Sequence, residues 1–97
     1  DIKCLELNED YQVISSKTFA EIRPGVPDGL RVDINGNIFT SAWDGIQVLD
    51  PSGDLIGKIL VPEDRTANCC WGGKSKNRLY ITADKSIYSI ILNTKGL

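Results

Sequence analysis

Histidine is absent from this chain of 97 residues, and so is methionine. Without histidine, neither a Ser-His-Asp nor a Cys-His nucleophile can be assembled within it, and His-ligated zinc is excluded too. Any metal held here must be held by oxygen or thiolate ligands. Cysteine is scarce: Cys4, Cys69 and Cys70 show no CxxC spacing, and adjacent cysteines rarely bridge each other. They read as reduced, small core or near-core side chains of a cytoplasmic protein. No stretch comes near the roughly 18 consecutive apolar residues of a membrane helix, and no secretory leader is visible. The formal charge is −2 and there is no basic stripe, which argues against a nucleic-acid surface. Lys74, Lys76 and Arg78 form the densest basic cluster and read as a solvated turn and strand edge. The missing methionine and the N-terminal Asp1 suggest a piece of something longer, or its ordered part.

A sustained helical apolar period is also lacking, and short alternating runs punctuated by turn residues take its place. Strands are expected at 2–7, 11–19, 30–34, 37–43, 45–49, 55–61, 67–71, 78–82 and 86–92. Asn8-Glu9-Asp10, Asn35-Gly36, Asp44-Gly45 and Ser52-Gly53 supply turns, and Pro24-Gly25-Val26-Pro27 and Pro62-Glu63-Asp64 break the pattern. Asn35-Gly36 predicts a two-residue hairpin with positive φ at both positions. The strands repeat. Asn37-Ile38-Phe39-Thr40-Ser41-Ala42 aligns with Arg78-Leu79-Tyr80-Ile81-Thr82-Ala83 at an offset of 41 residues, and Ile2-Lys3-Cys4-Leu5-Glu6 with Ile46-Gln47-Val48-Leu49-Asp50 at an offset of 44. A period in the low forties, about four strands long, is the signature of a β-propeller blade. A plain antiparallel sandwich explains the strand count equally well but not the repeat. The expectation is an all-β chain of about two four-stranded antiparallel blades, with residues 1–19 as outer strands of one blade, 28–61 as a full blade and 66–92 as three strands of the next.

The candidate chemistry centres on Asp28, in Pro27-Asp28-Gly29 ahead of the third strand. It reads either as a turn aspartate bonding local N–H groups or as a hard oxygen ligand for Ca²⁺, Mg²⁺, Mn²⁺ or Zn²⁺. As a base it could also accept a proton. Asp33 reads as a structural acid bonding the turn amides, and Asp44 and Asp50 as hairpin residues. Trp43 and Trp71 read as packing between blades, and Phe39 and Tyr80, at equivalent repeat positions, as core. Asn68 is open between satisfying the backbone and lining a channel.

The run Val26-Pro27-Asp28-Gly29-Leu30-Arg31-Val32-Asp33-Ile34-Asn35-Gly36 resembles the Pro-Asp-Gly, two residues, Asp, two residues, Gly signature of the senescence marker protein/gluconolactonase family, which includes regucalcin. Gly45-Ile46-Gln47-Val48-Leu49-Asp50-Pro51-Ser52-Gly53 is similar to its Asp-Pro-x-Gly hairpin. Thr66-Ala67-Asn68-Cys69-Cys70-Trp71-Gly72-Gly73 resembles its Thr-x-Asn/Ser-Cys-x-aromatic-Gly-Gly motif. The resemblance implies a six-bladed propeller with one divalent cation in the central channel, a lactone or ester substrate, and a position in about the C-terminal third. It carries over one metal ligand, Asp28, and places Asn68 at a channel-facing position near substrate; the other family ligands have no counterpart. On that basis the chain is expected to be an incomplete part of a metal-dependent lactonase, partnered by the rest of its propeller or by copies of itself. The alternatives are a non-catalytic module that binds a ligand or partner, and a calcium-binding regulator.

Overall fold

Period-two runs separated by glycine and asparagine turns produce nine strands and no helix: β1 (Ile2–Leu7), β2 (Val13–Ala20), β3 (Leu30–Val32), β4 (Ile38–Ala42), β5 (Gly45–Leu49), β6 (Leu55–Leu60), β7 (Thr66–Gly72), β8 (Arg78–Ala83) and β9 (Ile87–Ile91). The computed structural model describes all 97 residues. The strands form three antiparallel meanders: a two-stranded sheet β1-β2, a four-stranded sheet β3-β4-β5-β6 and a three-stranded sheet β7-β8-β9. The repeat at offset 41 is structural. β4 and β8 take the second place in the second and third sheets, and β5 and β9 the third.

The middle sheet is covered on both faces, which explains the near-continuous burial of β4 and β5. Alternation sorts its residues. Phe39 and Ile46 face the third sheet and join Val61, Cys69, Leu79 and Ile81 in one core cluster. Ala42 and Leu49 face the first sheet and pack with Ala20 and Ile22. Trp71 meets Phe39 edge to face across the sheets, with ring centroids 5.0 Å apart. This is the packing role expected of it.

Several expectations are corrected. The Asn35-Gly36 turn is not a two-residue hairpin. Asp33 C=O accepts the Gly36 N–H, Asp33 N–H donates to Asn37 O, and only Gly36 takes a positive φ, 82°. That is a three-residue loop closed by a left-handed residue, and Asp33 ends β3 at Val32. The same loop recurs after Asn8 and Asp50, with Tyr11 (φ 61°) and Gly53 (φ 91°) in the left-handed position. In all three, one side-chain oxygen of the first residue accepts the N–H groups two and four residues on. Tyr11 therefore belongs to the loop, and β2 begins at Val13 rather than residue 11. Asp44 does not follow this pattern; its carboxylate accepts Lys58 Nζ at 2.8 Å and Gln47 Nε2 at 3.1 Å. Cys4 and Cys70 are exposed rather than near-core, whereas Cys69 is buried. Cys69 and Cys70 are consecutive on β7, so their side chains leave opposite faces and cannot bridge. Tyr80, equivalent to the buried Phe39, is 39% exposed, because only the inner face of the third sheet has a neighbour.

Candidate functional site

Antiparallel order brings four segments to one end of the second and third sheets: the approach to β3, the β4–β5 turn, the approach to β7 and the β8–β9 turn. Asp28 stands on the first. Its backbone is pinned by a side chain that sequence reasoning did not single out. Ser41 Oγ, fully buried, accepts the N–H of Asp28 at 2.9 Å and of Gly29 at 3.1 Å. Ser41 N–H returns a bond to Gly29 O at 2.9 Å, and Gly29 N–H also reaches Ala67 O on the neighbouring sheet at 2.9 Å. The signal for Ser41 was its place in a fully buried run, where a hydroxyl needs a partner.

The Asp28 carboxylate itself is exposed and accepts no side-chain or backbone hydrogen bond. The turn reading required those oxygens to take local N–H groups; they take none, and the backbone is held instead. Asp33 and Asp44 behave differently. Burial opposes ionisation of Asp33, but bonds from the Asn37 side chain and backbone, Thr94 Oγ1 and Asn35 N–H outweigh it and hold the carboxyl below its ordinary 3.8. Burial likewise opposes ionisation of Asp44, and Lys58 and Gln47 overcome it. Both are structural acids, as expected of Asp33. Desolvation pushes the Cys69 thiol up to about 11.

Asn68, on β7, lies directly against Gly29. A Cβ on Gly29 would fall 1.9 Å from Asn68 Oδ1, so only glycine lets the approach to β3 come this close to β7. Asn68 Oδ1 accepts the Cys69 N–H at 2.8 Å. Asp28 and Asn68 are adjacent but line different cavities. Asn68 faces one of about 260 Å³ with Arg31, Cys70, Tyr80 and Thr82. Asp28 faces another of about 260 Å³ with Trp43, Arg65, Thr66 and Asp84. The last four were not assigned to a site from sequence, because Trp43, the Arg65-Thr66 pair and Asp84 lie far apart in the chain and meet only at the sheet ends. No group of three Cys, Asp or Glu side chains converges as a metal cluster. Asp28 shares its cavity with one other carboxylate, Asp84, and no third Cys, Asp or Glu joins them.

The profile of the SMP-30/Gluconolactonase/LRE-like region matches residues 2–85. Gluconolactonase of Zymomonas mobilis is 37% identical over 73 residues, which is 74% of this chain and 20% of that protein. Regucalcin of Gallus gallus is 36% identical over 66 residues, 65% of this chain and 22% of that protein. A candidate gluconolactonase of known structure superposes with a TM-score of 0.89 at 39% identity, over 96% of this chain and 32% of that one. The chain thus spans 20–22% of the length of these two curated relatives. With nearly its whole length matched by the profile, the chain belongs to the SMP-30/gluconolactonase/LRE-like family.

Proposed function

We propose that this chain is about two blades of a six-bladed propeller, from roughly the C-terminal third of a divalent-metal-dependent lactonase. On this reading β1-β2 are outer strands of one blade, β3–β6 a complete blade and β7–β9 three strands of the next. The observation that carries the enzymatic reading is the Asp28 carboxylate. It is exposed and takes no internal hydrogen bond, while its backbone is locked by the buried Ser41 hydroxyl and the close approach of Gly29. Such a group is preorganised yet still available to a ligand, which suits a hard cation. When bound there, Ca²⁺, Zn²⁺, Mn²⁺ or Mg²⁺ supplies Lewis-acid polarisation of a lactone carbonyl. Asp28 is the one ligand this chain contributes, and its carboxylate is also the group placed to take a proton. Ser41 keeps it aimed, and Asn68 presents its amide to the adjacent cavity, within reach of substrate. The remaining ligands come from the rest of the propeller. Copies of this chain fit less well: joining the three-stranded sheet of one copy to the two-stranded sheet of another gives five strands where the complete sheet has four.

The test is hydrolysis of an aldonolactone by the intact gene product, with and without EDTA and in Asp28→Ala. Turnover should require the cation and should fall at least about a hundredfold in the variant. Undiminished turnover in Asp28→Ala would overturn the assignment. Cation-dependent stabilisation without any turnover would favour a calcium-binding regulator instead.

A further inference from the structure

The cavity beside Asp28 contains a cation and a hydroxyl that the fold leaves without protein acceptors. Arg65, just before β7, carries its guanidinium carbon 5.3 Å from the centre of the Trp43 ring. Trp43 is itself fixed: its backbone N–H donates to Pro24 O at 3.1 Å, and a Cβ on Gly25 would lie 2.2 Å from the indole, so that loop sits directly on the ring. Trp43 is nevertheless 44% exposed. Two carboxylates, Asp28 and Asp84, line the same cavity. Arg65 pairs with neither of them. The ion pairs of the chain are made by Arg23 and Lys58, and Arg65 makes no hydrogen bond. Its donors are held in place by cation–π attraction and left unspent.

Thr66, the next residue, is 4% exposed, and its Oγ1 has no hydrogen-bond partner. A buried hydroxyl without a partner is costly, and an oxygen acceptor in the cavity it lines would relieve that cost. Arg65 and Thr66 are consecutive, and both residues line this cavity.

We infer that Arg65 and Thr66 form an oxyanion subsite next to Asp28, which selects sugar lactones and sugar acids bearing a carboxylate or phosphate over neutral polyols. The assignment of the anion to a substrate rests on the lactonase reading; the subsite itself does not. Guanidinium stacked on an aromatic ring is a planar, preorganised fork for such groups. Asp28 and Asp84 line the same cavity, so an anionic substituent is drawn toward Arg65 and repelled by the carboxylates.

Non-hydrolysable ligands separate binding from turnover. Indole fluorescence of the intact gene product is titrated with a 6-phosphoaldonate, an aldarate and sorbitol. The anions should bind at least about tenfold more tightly than sorbitol, and Arg65→Gln should remove about that factor while leaving sorbitol affinity unchanged. The 6-phosphoaldonate and aldarate arms distinguish phosphate from carboxylate as the preferred group. Thr66→Val, close to isosteric, should weaken the anions several-fold and, by removing the orphaned hydroxyl, should not lower the unfolding midpoint. Equal binding of anions and sorbitol, or unchanged anion affinity in both variants, overturns the subsite. Anion selectivity in a protein that hydrolyses no lactone would retain the subsite and sink the lactonase reading.

Discussion

Asp33 and Asp28 stand five residues apart, and opposite environments give them opposite roles. Asp33 is 1% exposed, and its carboxylate accepts two backbone N–H groups, the Asn37 amide and the Thr94 hydroxyl. Removing it strands those donors, so Asp33→Ala should cost about 2–4 kcal/mol in denaturant unfolding. Because its folded pKa lies below 3.8, the stability it adds is fully present above that value and is lost as pH falls through the lowered folded value. The gap in stability between wild type and Asp33→Asn should therefore shrink in acid; a gap independent of pH would contradict the role of the ionised form. Thiol chemistry separates the cysteines in the same way. Cys69 is buried with its pKa pushed up to about 11, whereas Cys4 and Cys70 are exposed. Iodoacetamide applied to the folded 97-residue chain, read by peptide mass spectrometry, should modify Cys4 and Cys70 and spare Cys69 until denaturant is added.

At the scale of elements, the hairpin loop is the recurring unit. Asn8, Asp33 and Asp50 each cap their loops with one side-chain oxygen, and each loop closes on a left-handed residue. Gly36 and Gly53 take that conformation without strain, but Tyr11 does not. Tyr11→Gly should therefore raise the unfolding midpoint, by about 1 kcal/mol at most once the extra freedom of the unfolded chain is counted. Gly53→Ala should do the reverse, since its φ is 91° and the added Cβ would lie 2.4 Å from Phe19 O. Equal midpoints for the two variants would show that the loop conformation carries no strain. The hairpins themselves were legible in the sequence, because asparagine, aspartate and glycine act locally. Their loop type was not. It depends on the Asp33 carboxylate reaching forward to Asn35 and Asn37, which a two-residue motif does not specify.

Across the whole molecule, burial is thin: 18 of 97 residues are buried, and both core clusters lie between sheets. The outer sheets end in unpaired edges, β1 on one side and β9 on the other. Ile87 (73% exposed) and Ile91 (59%) stand on β9, and Leu5 (51%) and Leu7 (47%) on β1. Open apolar edges invite further pairing. Expressed alone, the chain should elute as a spread of associated species in size-exclusion chromatography with light scattering. A single well-defined trimer with EDTA-sensitive lactone turnover would instead establish a ring of copies and overturn the reading of a partial propeller.

The all-β class, the order of the strands and the repeat at offset 41 were determined by the sequence alone, since alternation and turn chemistry act between near neighbours. Asp28 was also visible there, because Pro-Asp-Gly marks it locally, and so was Asn68 as a candidate. Tertiary structure decided what surrounds them. It placed the Ser41 hydroxyl under Asp28, set Gly29 against Asn68 and put the two candidates in separate cavities. It also gathered Trp43, Arg65, Thr66 and Asp84 beside Asp28. The physical reason is distance along the chain. Each of these contacts joins segments on different strands or different sheets, and only the packing of sheet on sheet determines which ends meet.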